Sequence, residues 1–176
     1  YDLQETENSY KELIKNEDYN FSRYNFFLVN YLLHKNKTKE AARVINEARK
    51  LHTSNLLIRE AENFILNKKN EKIKNFFNCK DPEDSIAEFF YILANLYSGG
   101  KDYQLSNFYL NISLFLNNHF LPNNALMAEN FYYLKKYKKS KDIYNSLKLI
   151  GPAYSWYSAK SIATILVDTD GEKKSI

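Results

Sequence analysis

Apolar and small residues recur along this chain at helical spacing, and the whole pattern then repeats. The segment LANLYSGGKDYQLSNFYLNISL runs from Leu93 to Leu114, and MAENFYYLKKYKKSKDIYNSLK runs from Met127 to Lys148. A slide of 34 residues aligns Ala94 with Ala128, Tyr97 with Phe131, Tyr103 with Tyr137, Ser106 with Ser140 and Leu110 with Tyr144. TKEAARVINEA brings Ala41 to the Ser106 slot, NEKIKNFF brings Ile73 and GEKKSI brings Ser175. The ladder Ala41, Ile73, Ser106, Ser140, Ser175 climbs in steps of 32, 33, 34 and 35 residues, and Ser9 stands 32 residues before Ala41. Two helical segments per step of this length predict stacked helix hairpins, each too small to bury its apolar face alone.

The turns fall between the paired segments. SGGKD (Ser98 to Asp102), LKKYKK, HKNKTKE and DTDGE each separate two helical stretches, with the pair Gly99-Gly100 inside the first. Asp81-Pro82, in the loop CKDPED, predicts a helix start with Asp as cap and Pro in the first turn. Thr53 or Ser54 is the expected cap of a helix from Asn55 to Leu66, and Leu3 to Ile14 reads as the second half of a unit. The slots of Ala94, Ala128, Ala41, Ser106, Ser140, Ala48 and Ser113 hold small residues, as close helix crossings require. Tyr97, Phe131 and Tyr144 are expected to fill the gaps between hairpins.

This pattern resembles a divergent tetratricopeptide repeat. The unit from Asn124 to Pro152 carries the family's positions at Met127, Ala128, Phe131, Tyr137, Ser140, Tyr144 and Pro152. The preceding unit carries them at Phe90, Leu93, Ala94, Tyr97, Tyr103, Ser106, Leu110 and Ser113, and an early unit at Leu28, Leu32, Ala41, Ile45 and Ala48. The chain departs from the family in having Ala for Gly at Ala94 and Ala128, Ser for Ala on second helices, one closing Pro, and a degenerate unit from Leu56 to Phe77. The resemblance implies an all-α fold, a right-handed α-solenoid of antiparallel helix hairpins. It covers residues 1–176 as one helical-repeat domain, with units at about 1–20 (partial), 21–53, 54–85, 86–120, 121–154 and 155–176 (partial). The half units at both ends and the lack of polar capping helices lead to the expectation of an excerpt from a longer array.

Composition agrees with helices. Gly (4) and Pro (3) are scarce among 176 residues, and hydrophobic residues make up 44%. Lys and Arg number 25 against 21 acids, a net charge of +4, with the acids interleaved rather than segregated. That balance does not single out a nucleic-acid surface, which concentrates basic charge on one face. The best apolar run, IAEFFYILANLY, is too short to span a bilayer and contains Glu88.

No chemistry-bearing constellation emerges. His34, His52 and His119 are scattered without a ligand set, and Cys79 has no sequence-near His. Asp168 and Asp170 in DTDGEKKS fit a turn better than a calcium loop, because the Gly comes too early and no Glu closes it. No phosphate-cradling Gly motif or nucleophile elbow is present, and N-x-S/T triplets at Asn20, Asn36 and Asn111 match chance in an Asn-rich chain. No catalytic, cofactor or metal residue is assigned.

In the resembled family the first helices line a concave groove. Carried over position by position, the partner-binding candidates are Arg23 and Asn30, Glu62, Tyr91 and Asn95, Glu129, Tyr132 and Tyr133, then Tyr157 and Lys160. A clamp for a terminal carboxylate is disfavoured: the matching slots hold Phe26 with Asn30 and Tyr91 with Asn95, and the cations are missing. The expectation is a non-catalytic scaffold that takes a peptide segment or helix of a protein partner. Alternatives are a nucleic-acid-binding helical repeat and an accessory domain of a larger enzyme. Glu62 and Glu129 on the expected groove weigh against the first. The resemblance leans toward a bacterial source and, within it, the envelope over the cytoplasm.

Overall fold

The computed structural model describes residues 4–15 and 22–174. Its regular elements are all helices: α1 (Gln4–Lys15), α2 (Ser22–His34), α3 (Thr38–Leu51), α4 (Leu56–Leu66), α5 (Asn70–Lys74), α6 (Pro82–Gly99), α7 (Tyr103–Leu116), α8 (Leu121–Tyr133), α9 (Tyr137–Leu147) and α10 (Pro152–Lys174). The protein is thus all-α over the described residues. Two compact units divide it, Tyr1–Ser85 and Ile86–Ile176, and the division falls inside α6.

In the first unit α2 is apolar almost all round, so it has to be interior. Phe26, Phe27, Leu28, Val29, Tyr31, Leu32 and Leu33 are all buried, and α2 packs against α1, α3, α4 and α5. The amphipathic α3 presents Ala41, Ile45 and Ala48, one stripe at helical spacing. From α4 come Leu57, Ile58, Ala61 and Phe64. Rings close the bottom: Phe27 lies 4.3 Å from Phe77 and Phe26 lies 6.3 Å from Phe76 between centroids.

The second unit is built on Ala94, Leu110 and Met127, with Tyr91, Tyr109, Phe131 and Ile143 packed around them. Successive helices from α7 to α10 pack pairwise. On α10 the buried stripe is Tyr154, Ser158 and Ile165. Polar seams run through this core. Ser106 Oγ donates to Ala94 O at 2.8 Å, and Ser140 Oγ donates to Ala128 O at the same distance. Asn130 Nδ2 donates to Ser106 Oγ (2.7 Å) and Asn107 Oδ1 (3.0 Å), and Ser98 donates to Asn130 Oδ1.

Four rungs of the ladder, Ala41, Ile73, Ser106 and Ser140, are each 0% exposed, whereas Ser9, 32 residues before Ala41, is exposed and its Oγ donates to Glu5 O of its own helix (2.8 Å). The turn before each slot is one structure repeated. Asn36, Lys68, Lys101 and Lys135 have φ of 60°, 56°, 65° and 57°. At each, that residue's N–H returns to the carbonyl three back, and the next N–H to the carbonyl five back, as in Lys135→Tyr132 (2.9 Å) and Lys136→Phe131 (2.8 Å). This is the left-handed helix stop in which Gly is usual. Here no Gly occupies it: Gly99 ends α6, and Lys101 takes the positive φ.

Several local expectations are corrected. DTDGE is not a turn: α10 runs unbroken from Pro152 to Lys174. A lone Gly costs a helix only about 1 kcal/mol, and α10 packs along α9, with Ile165 fully buried just ahead of Asp168. The cap of α4 is Asn55 rather than Thr53 or Ser54. Its Oδ1 accepts from Ile58 N (3.1 Å) while its Nδ2 donates to Ser22 Oγ (2.9 Å), so the amide caps the helix and also ties it to the start of α2. Tyr97 does not fill an interior gap: it is 37% exposed and stacks on Tyr109 at 5.3 Å. Ser175, the last rung of the ladder, lies outside the described residues, as does the stretch 16–21 that precedes α2. Pro82 opens α6 with Asp81 Oδ1 accepting from Glu83 N (3.0 Å), as the dipeptide predicts.

Candidate functional site

Ten residues were candidates, and four of them meet. Glu129, Tyr132 and Tyr133 are spaced i, i+3, i+4 on α8, so they share one face. Tyr157 stands on α10 with Ser161, Thr164 and Asp168, spaced i, i+4, i+7, i+11, also one face. Tyr157 Oη donates to Glu129 Oε1 (2.5 Å), and Tyr132 Oη donates to Asp168 Oδ2 (2.7 Å). At about 1.5 Å rise per residue these bonds start about 4.5 Å apart on α8 and end about 16 Å apart on α10. They diverge, and Ser161 and Thr164 lie between their anchors. The result is a cleft of about 200 Å³ lined by Glu129, Tyr132, Tyr133, Tyr144, Ser161 and Thr164.

The rings around the cleft are organised. Tyr133, 58% exposed, stacks on Tyr103 at 4.9 Å with planes 13° apart. Tyr132 leans on Tyr137 at 6.0 Å, and Tyr144 meets Tyr157 edge-on at 5.6 Å. The hydroxyls are held neutral. The hydrogen bond to Asp168, with burial second, pushes the Tyr132 hydroxyl up to about 12. Burial first, then the Glu129 charge, raises Tyr157 well above the ordinary tyrosine value. Burial also raises Tyr144, with hydrogen bonding to Tyr157 and Ser161 working against it.

The other candidates serve elsewhere. Asn30 is a correction: it is 0% exposed, and its Nδ2 donates to Ile73 O (2.7 Å), so it ties α2 to α5 inside the core and faces no groove. Its helix is buried all round, which no amphipathic register reveals. Arg23 lies over the ring of Tyr24 at 5.8 Å, and Glu62 pairs with Arg49 at 3.3 Å. Half-buried Tyr91 meets Phe120 edge-on at 5.5 Å; exposed Asn95 donates to the Tyr91 carbonyl of its own helix. Lys160 sits over Trp156 at 5.7 Å.

Asp168, Ser161, Thr164 and Tyr144 join the site without having been candidates. Asp168 is hidden by the turn expected at DTDGE, while Ser161 and Thr164 lie on the helical stretch before it; extending the Tyr157 stripe in helical steps finds all three. The sequence register places Tyr144 in the packing seam, and the structure adds it to the cleft lining.

A smaller cavity of about 130 Å³ in the first unit is lined by Tyr31, His34, Lys35, Asn78, Cys79 and Lys80. His34 and the single cysteine, 45 residues apart in sequence, thus line one cavity. Among the described residues no group of three or more His, Cys, Asp or Glu is arranged to hold a metal ion, and no helix is long and apolar enough to cross a membrane.

Comparison with protein families, with curated proteins and with solved structures finds no match to this chain.

Proposed function

We propose that this chain is a non-catalytic interaction scaffold of the tetratricopeptide type. Its helix hairpins are of the antiparallel kind that stack into a right-handed α-solenoid, and the cleft between α8 and α10 receives a peptide segment or helix of a protein partner. The observation that carries this reading is the gathering of Glu129, Tyr132 and Tyr133 around one open cleft, with Tyr157 of the next first helix bonded to Glu129. Tyrosines suit such a role because each offers a rigid apolar body with a polar tip. The recurrence of the same left-handed turn at Asn36, Lys68, Lys101 and Lys135 supports the repeat architecture.

The test is a Tyr132→Ala/Tyr133→Ala/Tyr157→Ala triple variant of the full chain, compared with the parent for binding to peptides selected from a random library. The variant is expected to lose most of the selected peptides. An unchanged set would remove the groove assignment. A parallel titration against mixed RNA is expected to show weak binding; tight binding with a steep salt slope would replace the scaffold by a nucleic-acid reader.

A further inference from the structure

We propose that the cleft between α8 and α10 is a cation pocket, taking the ammonium head of a lysine-type side chain, free or methylated, from the bound segment. The inference rests on the scaffold reading above and specifies its ligand. Three observations carry it.

The first is charge. Glu129 lines the cleft, Asp168 is bonded to the lining Tyr132, and among the described residues neither carboxylate has an ion-pair partner. A tyrosine hydroxyl engages one oxygen of each, Oε1 of Glu129 and Oδ2 of Asp168. The second oxygen of each carboxylate is left for an incoming donor. Two uncompensated carboxylates repel an anion, so a carboxylate or phosphate is the wrong guest.

The second is the wall. Tyr132, Tyr133 and Tyr144 line the cleft, and Tyr157 backs Tyr144. Aromatic faces attract ammonium groups through the ring quadrupole, and a cage of rings with nearby carboxylates is how quaternary and methylated ammonium is recognised. The rings are preset by contacts with their neighbours, Tyr133 on Tyr103 and Tyr132 on Tyr137, so little ordering cost falls on binding.

The third is protonation. Raised tyrosine values keep both hydroxyls protonated throughout the physiological range, so each stays a hydrogen-bond donor to its carboxylate. The nearest lysine on α10, Lys160, sits over Trp156 instead of filling the cleft.

The experiment uses the full chain, ¹⁵N-labelled, titrated with four capped tripeptides: Ala-Lys-Ala, Ala-trimethyllysine-Ala, Ala-norleucine-Ala and Ala-Glu-Ala. The two cationic peptides are expected to shift amides of α8 and α10 around Glu129 and Ser161, and the neutral and acidic peptides to leave them unmoved. Glu129→Gln/Asp168→Asn is expected to weaken the cationic peptides about tenfold, the worth of one charge-assisted hydrogen bond. Tyr133→Ala removes an exposed ring without touching either tyrosine–carboxylate bond, and is expected to weaken the trimethyllysine peptide most. Norleucine binding as well as lysine, or cationic shifts that map elsewhere, would overturn the inference. Library-selected peptides that depend on Tyr132 and Tyr133 but tolerate Lys→norleucine would leave the scaffold standing and remove the cation pocket. Failure to select any peptide would remove both.

Discussion

The two units use one backbone device with different chemistry in the slot it creates. In each, a left-handed turn is followed five residues later by a fully buried residue. In the first unit that residue is Ala41 or Ile73, and the seam around it is closed by Phe, Leu and Ile. In the second it is Ser106 or Ser140, whose hydroxyls reach the carbonyls of Ala94 and Ala128, with Asn130 knitted to Ser106 and Asn107. One unit is held by volume, the other in part by satisfied hydrogen bonds. The candidate cleft belongs to the second, where polar side chains are already integrated between helices and tyrosines can bridge to carboxylates.

Substitutions at equivalent slots would test the contrast. Ile73→Ala is expected to cost about 2–5 kcal/mol, because it opens a cavity in an apolar seam and withdraws packing from the Asn30–Ile73 tie. Denaturant unfolding followed by circular dichroism reads it; a cost under 1 kcal/mol would deny that volume holds this unit. Ser140→Ala, in the same slot, is expected to cost only about 1 kcal/mol, one net hydrogen bond, since its carbonyl partner lies on a helix. The single tryptophan, Trp156, lies in the second unit, so its fluorescence follows that unit separately.

The turn itself should behave alike in both units. Lys68→Gly and Lys135→Gly are each expected to stabilise by up to about 1 kcal/mol, relief of a left-handed backbone that a Cβ disfavours. Loss of a cation beside a helix C-terminus offsets part of this gain. Opposite signs at the two sites would mean that the turns are not equivalent.

The smallest effect is alkaline. The Tyr132 hydroxyl is raised from 10.0 to about 12 in the folded chain. The folded value lies above the unfolded one, so its contribution is complete below about pH 10 and is lost as pH climbs through 12. Tyr132→Phe is therefore expected to flatten the fall in stability between pH 10 and 12, and to remove one late step from the tyrosinate absorbance titration.

The helical character and the buried slots at Ala41, Ile73, Ser106 and Ser140 are legible in the sequence, where they recur at steps of 32 to 34 residues. Glu129, Tyr132, Tyr133 and Tyr157 followed from the same register. What was not legible had tertiary causes. Asn30 looks like a surface amide until Ile73 is seen to present its carbonyl. Asp168, Asp170 and Gly171 carry turn propensity, which packing of α10 on α9 overrides, and the expected turn hides the bond from Tyr132 to Asp168. The left-handed residues were invisible as such, since Lys and Asn stand where Gly would announce them.

Those turn lysines also make the period chemically addressable. Lys68, Lys101 and Lys135 are exposed, take the same left-handed place in three equivalent turns, and carry primary amines. Within the second unit, an amine-to-amine cross-linker series between Lys101 and Lys135 is a ruler for the distance from one turn to the next. It takes its reading from the rim and leaves every buried seam untouched.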